Sequence, residues 1–251
     1  IESTFHIAPW ITGIVLVVIA AAVILGGMRR IASVNEKLVP FMAVFFVGCS
    51  VAALILNIGK VPAAFALIFR EAFHFRAAAG GAAGYGIMAA MHYGFARGVF
   101  SNEAGLGSAP MAHAASSAKS PVQQGLWGMF EVFFTTIVIC TLSALIILTG
   151  GLWDTGALDG AALSIASFDS ILPGIGRVIV TLSTIFFALS TLLGWAYYGE
   201  VSVSYLFKNS KWAVLIYRIV YVAVSFVGAV GSLDLIWSIA ETMNGLMAIP
   251  N

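Results

Sequence analysis

The sequence predicts an all-α protein that crosses a lipid bilayer several times, and three observations carry the prediction. Apolar residues make up 61% of the 251 and charged residues only 9%, whereas a soluble domain has roughly 25% charge and about half apolar residues. That excess of apolar surface is too large for one core, so lipid has to be the solvent. The apolar residues fall into runs of about 20, the length of helix that spans a bilayer. One run is interrupted by Arg97-Gly-Val-Phe-Ser-Asn-Glu-Ala-Gly-Leu-Gly-Ser-Ala-Pro110, with an acid, an amide, two hydroxyls and three glycines where a membrane helix is ordinarily most apolar.

Taken in order, seven segments read as membrane helices: 10–27, 38–57, about 78–115, 125–151, about 177–206, 212–231, and one from about 234 to the end. The third and fifth are longer than one straight crossing needs. The third is best explained as two half-helices with an extended joint. Between the second and third, Val61-Pro-Ala-Ala-Phe-Ala-Leu-Ile-Phe-Arg-Glu-Ala-Phe75 has apolar residues at helical spacing and its polar residues late, the pattern of a surface or re-entrant helix. The chain opens on Ile1-Glu-Ser-Thr without a basic leader and stops at Ile249-Pro-Asn251 straight after an apolar run, so it reads as part of a longer chain.

Orientation follows from basic residues in short connections. Arg29, Arg30 and Lys37 flank the first, Lys119 lies in Ser116-Ser-Ala-Lys-Ser-Pro121, and Lys208 and Lys211 bound a four-residue turn. The connection 152–172 carries Asp154, Asp159 and Asp169 and no Lys or Arg. The pattern predicts that the first helix runs inward from outside. Lys60, Arg70 and Arg76 do not fit it.

The joint from Phe100 to Pro110 is the first candidate site. Gly98, Gly105 and Gly107 permit unwound backbone, and Pro110 removes an amide donor. Unwound carbonyls suit a cation, free amides suit a carboxylate, and Ser101, Asn102 and Ser108 add side-chain partners. A structural kink needs one proline or glycine and no Ser-Asn-Glu in sequence. Broken segments at membrane depth survive only where protein or water surrounds them, and intramembrane polar residues point to transport or ion sites. Glu103 has three readings here: a ligand contact, a proton relay, or an ion pair with Arg97.

The second candidate is Ser190-Thr-Leu-Leu-Gly-Trp195, whose adjacent hydroxyls offer oxygens to a hard cation such as sodium; back-bonding to their own helix is the plain alternative. Trp195-Ala-Tyr-Tyr-Gly-Glu200 follows, with Tyr197, Tyr198 and Glu200 read at interface depth. Glu131, Glu200 and Glu241 read as structural partners, and His92 and His113, which flank the joint, as bonded to nearby carbonyls. No His-Glu-x-x-His pattern exists, and Gly105-Leu-Gly107 follows no soluble strand, so zinc hydrolase and dinucleotide readings fall away. Cys49 and Cys140 read as small buried hydrophobes. The net charge of +1 gives no reason to expect a nucleic-acid partner.

Gly98-Val-Phe-Ser-Asn-Glu-Ala-Gly-Leu-Gly-Ser-Ala-Pro-Met-Ala-His-Ala-Ala115 resembles the defining motif of the alanine or glycine:cation symporters, the sodium:alanine symporter family. Lys37-Leu-Val-Pro-Phe-Met-Ala43, Ser190-Thr-Leu-Leu-Gly-Trp-Ala-Tyr-Tyr-Gly-Glu200 and Asn244-Gly-Leu-Met-Ala-Ile-Pro-Asn251 match in family order. The resemblance implies a leucine-transporter-like fold of two inverted five-helix repeats, each beginning with a broken helix. Residues 1–57 then hold the last two helices of the first repeat, 58–77 an amphipathic connector, and 78–251 the five helices of the second, its broken helix at about 78–115. The other broken helix and the two that follow it would precede Ile1, and this chain alone is expected not to transport.

The resemblance further implies a secondary transporter in the plasma (cell inner) membrane that imports a small neutral amino acid, alanine or glycine, with sodium. It implies no covalent chemistry and no cofactor beyond the coupling ion. Phe100, Ser101, Asn102 and Gly105 would line the amino-acid site, Trp195 would limit side-chain size, and Ser190 and Thr191 would face sodium. Proton coupling through Glu103 or a histidine, a channel with the broken helix as its selectivity element, and a non-transporting scaffold are the other readings.

Overall fold

The computed structural model describes residues 1–72, 81–103, 105–158, 160–231 and 233–250. The end of the expected connector (73–77), the first residues of the expected broken helix (78–80), and Asp159 lie outside the described residues. In chain order the helices are α1 Glu2–Phe5, α2 Pro9–Ile24, α3 Met28–Leu56, α4 Val61–Ala72, α5 Gly81–Asn102, α6 Ala109–Ala114, α7 Pro121–Phe133, α8 Cys140–Gly150, α9 Gly160–Ile171, α10 Gly176–Leu206, α11 Lys211–Val230 and α12 Leu233–Ala248. A 3₁₀ turn, Ile58–Lys60, precedes α4, and a π-helical stretch, Phe134–Ile139, joins α7 to α8. Among the described residues the regular structure is all helical.

Among the described residues, four helical stretches are long and apolar enough to cross a membrane: Met28–Leu56, Pro121–Gly150, Gly176–Leu206 and Lys211–Val230. They correspond to the second, fourth, fifth and sixth expected segments. The first expected segment is the shorter α2, 16 residues. The last is α12, also 16 residues.

Two expectations are corrected. Residues 28–37 were expected to form a connection but are the first turns of α3, because Met, Arg, Lys, Glu and Ala all favour helix where lipid no longer dictates composition. The connection shrinks to Leu25, Gly26 and Gly27, and Arg29, Arg30 and Lys37 sit on the helix. The expected loop 152–172 contains α9, which buries Ser167 and Phe168; an ideal Cβ on Gly150 of α8 would lie 2.9 Å from the Ser167 Cβ, so only glycine permits this approach. The fifth segment is one unbroken helix of 31 residues, about 46 Å long at 1.5 Å per residue.

The chain divides into two compact units. One comprises residues 1–49 and 174–240. Its core is Ala20, Val23 and Ile24 of α2, Ile31 of α3, and Leu193 and Ala196 of α10, with Tyr197, Tyr221 and Val222 packed around them. α11 turns Tyr217, Arg218 and Tyr221 inward, where the Tyr217 hydroxyl donates to the Ala196 carbonyl (3.2 Å) and that of Tyr221 to the Leu192 carbonyl (2.8 Å). Tyr217 lies over Gly199, where any side chain would collide with its ring. The outward residues of α11, among them Ile216, Ile219, Val220, Val224 and Val227, are exposed and apolar, an inverted amphipathic helix suited to lipid. Phe41 and Phe45 of α3 meet Phe186 of α10 edge-on.

The other unit comprises residues 50–173 and 241–251. Here α8 packs on α9 and α4, and the π stretch on α5. The Asn57 amide (3.1 Å) and the Lys60 ammonium (3.4 Å) both donate to the Thr149 carbonyl, which lies in the last turn of α8, where ladder partners run out. That contact gives Lys60 a local partner.

Candidate functional site

The interrupted helix keeps its break, but the break begins later than expected. Gly98 and Phe100 to Asn102 belong to the last turns of α5. Glu103 has a left-handed φ of 53°, and Gly105 (77°) and Gly107 (76°) are left-handed before α6. For glutamate such a backbone is strained, by roughly 1–2 kcal/mol. Two local bonds hold it: the Leu106 N–H donates to the Glu103 carbonyl (3.2 Å), closing a turn, and the buried Ser108 hydroxyl donates to the Glu103 carboxylate (2.5 Å). Leu106 is buried as an apolar anchor for the loop. The Glu103 carboxylate thus bonds within the joint, and Arg97, its partner in one of the three readings, turns elsewhere: its Nη2 lies 3.1 Å from Glu241 Oε1 on α12.

The polar residues just before the break face the π stretch. The Asn102 amide lies 3.5 Å from Thr136 Oγ1, and Ser101 Oγ lies 3.8 Å from Cys140 Sγ. A π turn widens the helix and re-aims side chains, and such turns recur at functional sites. Thr136 and Cys140 were not singled out from the sequence. The available signal was the pair Thr135-Thr136 inside an apolar run. Cys140, expected to be buried, is exposed. Phe100 is half-buried and Gly105 exposed.

In the unit that holds α10, Ser190 is buried at 7% exposure. Its hydroxyl donates to the Phe187 carbonyl (3.0 Å), the back-bonding arrangement, and lies 3.4 Å from the Met42 sulfur. Asn35 Nδ2 reaches the Ser190 carbonyl at 3.5 Å. Thr191, about 100° further round the helix, is exposed, so the two hydroxyls do not share a face. Trp195 is half-buried, its ring edge-on to Tyr198 at 5.7 Å.

Glu200, read at interface depth and as a structural partner, is only 2% exposed. Arg218 of α11 grips it bidentately, Nε to Oε2 at 2.8 Å and Nη2 to Oε1 at 2.6 Å. Arg218 was overlooked, although a single arginine within the apolar run of α11 announces a buried partner.

His113 was expected to bond a carbonyl. Its Nδ1 instead meets the side-chain amide of Gln124 on α7.

Several apolar helices, four of them of spanning length, and a polar break in another define a multi-pass membrane protein built around an interrupted helix. The sequence profile of the Sodium:alanine symporter family matches residues 1–251, and the chain belongs to that family. It is 47% identical over 254 residues to the Sodium/alanine symporter AgcS of Methanococcus maripaludis, covering 100% of this chain and 54% of that protein. It is 38% identical over 250 residues to the Probable sodium/glutamine symporter GlnT of Bacillus subtilis (100% and 51%). The Amino-acid carrier protein AlsT of the same organism is 34% identical over 251 residues (100% and 52%). The chain thus spans about half the length of the curated relatives it matches.

Proposed function

We propose that the full-length protein is a sodium-coupled importer of a small neutral amino acid, alanine or glycine, in the plasma membrane. The observation that carries the reading is the unwound joint, with Glu103, Gly105 and Gly107 left-handed between two helices of an apolar chain. Such a joint exposes main-chain amides and carbonyls at membrane depth, and a zwitterion needs donors for its carboxylate and acceptors for its ammonium. The names of the relatives AgcS and GlnT agree with sodium coupling and with an amino-acid cargo.

Phe100, Ser101, Asn102 and Gly105 are assigned to the amino acid. The assignments of Trp195 to the limit on side-chain size and of Ser190 and Thr191 to sodium rest on the family resemblance, as does the leucine-transporter-like arrangement, with 1–57 closing the first repeat, 58–77 connecting, and 78–251 forming the second. Sodium would drive import by favouring the outward-facing, substrate-ready state, since a ligand shifts states only through differential affinity.

The test is uptake of radiolabelled alanine into liposomes carrying the full-length protein, with and without an inward sodium gradient. Accumulation only with the gradient is expected, and Ser101→Ala and Asn102→Ala should each lower kcat/KM about tenfold or more, the scale of one lost polar contact in a dry site. Accumulation driven by a proton gradient at constant sodium would replace sodium by protons. Flux without saturation or counterflow would indicate a pore, and full activity in both variants would remove the joint from the site.

A further inference from the structure

We propose that the cavity between α6 and the start of α7 is a binding site for the headgroup of an anionic phospholipid. The cavity measures about 700 Å³, and its polar lining is Lys119, His113, Gln124, Ser116 and Ser120, with no Asp or Glu among the lining residues. One cation and several donors facing a space without acids describe a site for a phosphate ester.

The site is held in shape by its own hydrogen bonds. Ser120 caps α7 by accepting the Gln123 N–H at 3.2 Å, and the Gln123 side chain accepts the Lys119 N–H at 3.0 Å, a variant of the capping box that pins the backbone of Lys119. Gln124 holds the ring of His113, which passes over Gly128, 3.5 Å from where a Cβ would stand. Pro121, Gln124, Gly125 and Gly128 all line the cavity. Their spacing of three and four puts them on one face of α7, and the two glycines leave that face recessed.

The surroundings select a lipid over a soluble anion. The rest of α7 around the site is apolar and exposed: Val122 at 74%, Leu126 and Trp127 at 58% and Phe130 at 56%. Trp127, less than two turns into the helix and edge-on to Phe130, is the residue type that settles at headgroup depth. A polar, cationic pocket beside an acyl-facing helix surface offers one molecule a place for both its ends.

The full-length protein, purified in neutral detergent, would be titrated with phosphatidylglycerol and with phosphatidylcholine of the same acyl chains and read by native mass spectrometry. Phosphatidylglycerol should bind about fivefold tighter or more, the effect expected of one basic residue at an anionic headgroup. Lys119→Gln should bring the two lipids near parity. Gly125→Leu should do the same without changing charge, because a Cβ there meets nothing within 4 Å and the longer side chain enters the open space. Lys119 and Gly125 are both exposed, and leucine favours helix over glycine, so both variants should elute as wild type in size exclusion. Equal retention of the two lipids by wild type would overturn the proposal, as would a preference that survives both substitutions. Loss of the preference in millimolar inorganic phosphate would show a soluble-anion site instead.

Discussion

Glu103 is held in the left-handed region at a cost of roughly 1–2 kcal/mol, and the Ser108 hydroxyl that it accepts at 2.5 Å is worth about 1.5–3 kcal/mol as a hydrogen bond to a charged group. The two terms nearly offset, so that bond is a main support of the turn, beside the Leu106 N–H on the Glu103 carbonyl. Ser108→Ala should therefore release the turn and lower sodium-driven alanine uptake about tenfold at equal membrane insertion, while Ser108→Thr, which keeps the hydroxyl, retains most of it. Glu103→Gln keeps an acceptor for Ser108 and should cost only a few-fold. Abolished uptake in Glu103→Gln, with normal insertion, would return the residue to a proton-relay role. Glu200 and Arg218 present the opposite balance. Taking one member from a buried pair leaves a charge without compensation and costs about 3–5 kcal/mol, so Arg218→Gln should lower the thermal midpoint in detergent by about 6–20 °C. Glu200→Gln combined with Arg218→Gln should recover much of that loss, since neither charge is then left alone. Scanning fluorimetry of the single and double variants checks the sign.

At the scale of elements, the π stretch Phe134–Ile139 has the clearest consequence. It brings Thr136 and Cys140 against the last turn of α5, where Asn102 and Ser101 lie. If the break is lined by water, as unwound backbone in a membrane requires, the exposed thiol of Cys140 is reached from that water and not from lipid. A water-soluble thiosulfonate should then modify Cys140 in the full-length protein, and saturating alanine with sodium should slow the reaction several-fold. A Cys140→Ser variant serves as the control for labelling at Cys49. Labelling only by lipid-soluble reagents would place Cys140 against acyl chains. α11 shows how an element serves two solvents: its inward face carries an arginine and two tyrosines with partners, and its outward face after Lys211 is dominated by exposed apolar side chains.

For the whole molecule, the testable quantity is sidedness. Basic residues stay on the cytoplasmic side of short connections, so the turn at Lys208–Lys211 should face the cytoplasm and the acidic stretch around Asp154 the outside. Single cysteines at Asn209 and Thr155, in an otherwise cysteine-free full-length protein, should react with an impermeant maleimide only after cell disruption for the first and in intact cells for the second. The reverse pattern would invert this topology. Each compact unit has polar pairs of its own: Glu200 with Arg218 in one, Lys60 and Asn57 on the end of α8 in the other.

The lipid solvent, the apolar runs, the presence of a break and the family were all legible in the chain itself, because composition, run length and a long contiguous motif are one-dimensional properties. The exact partners were not. Arg97 and Glu103 are six residues apart and invite pairing on paper, yet each lies nearer a group that folding supplies, Glu241 for one and Ser108 for the other. Phe100 to Asn102 were read as unwound because the motif is polar, but helix persists until Glu103 because the left-handed residues, not the polar ones, end it. The helicity of α9 and the pairing of Glu200 with Arg218 depend on which helix faces which, and only the tertiary structure decides that, since the cost of a buried polar group is settled by its neighbours in space.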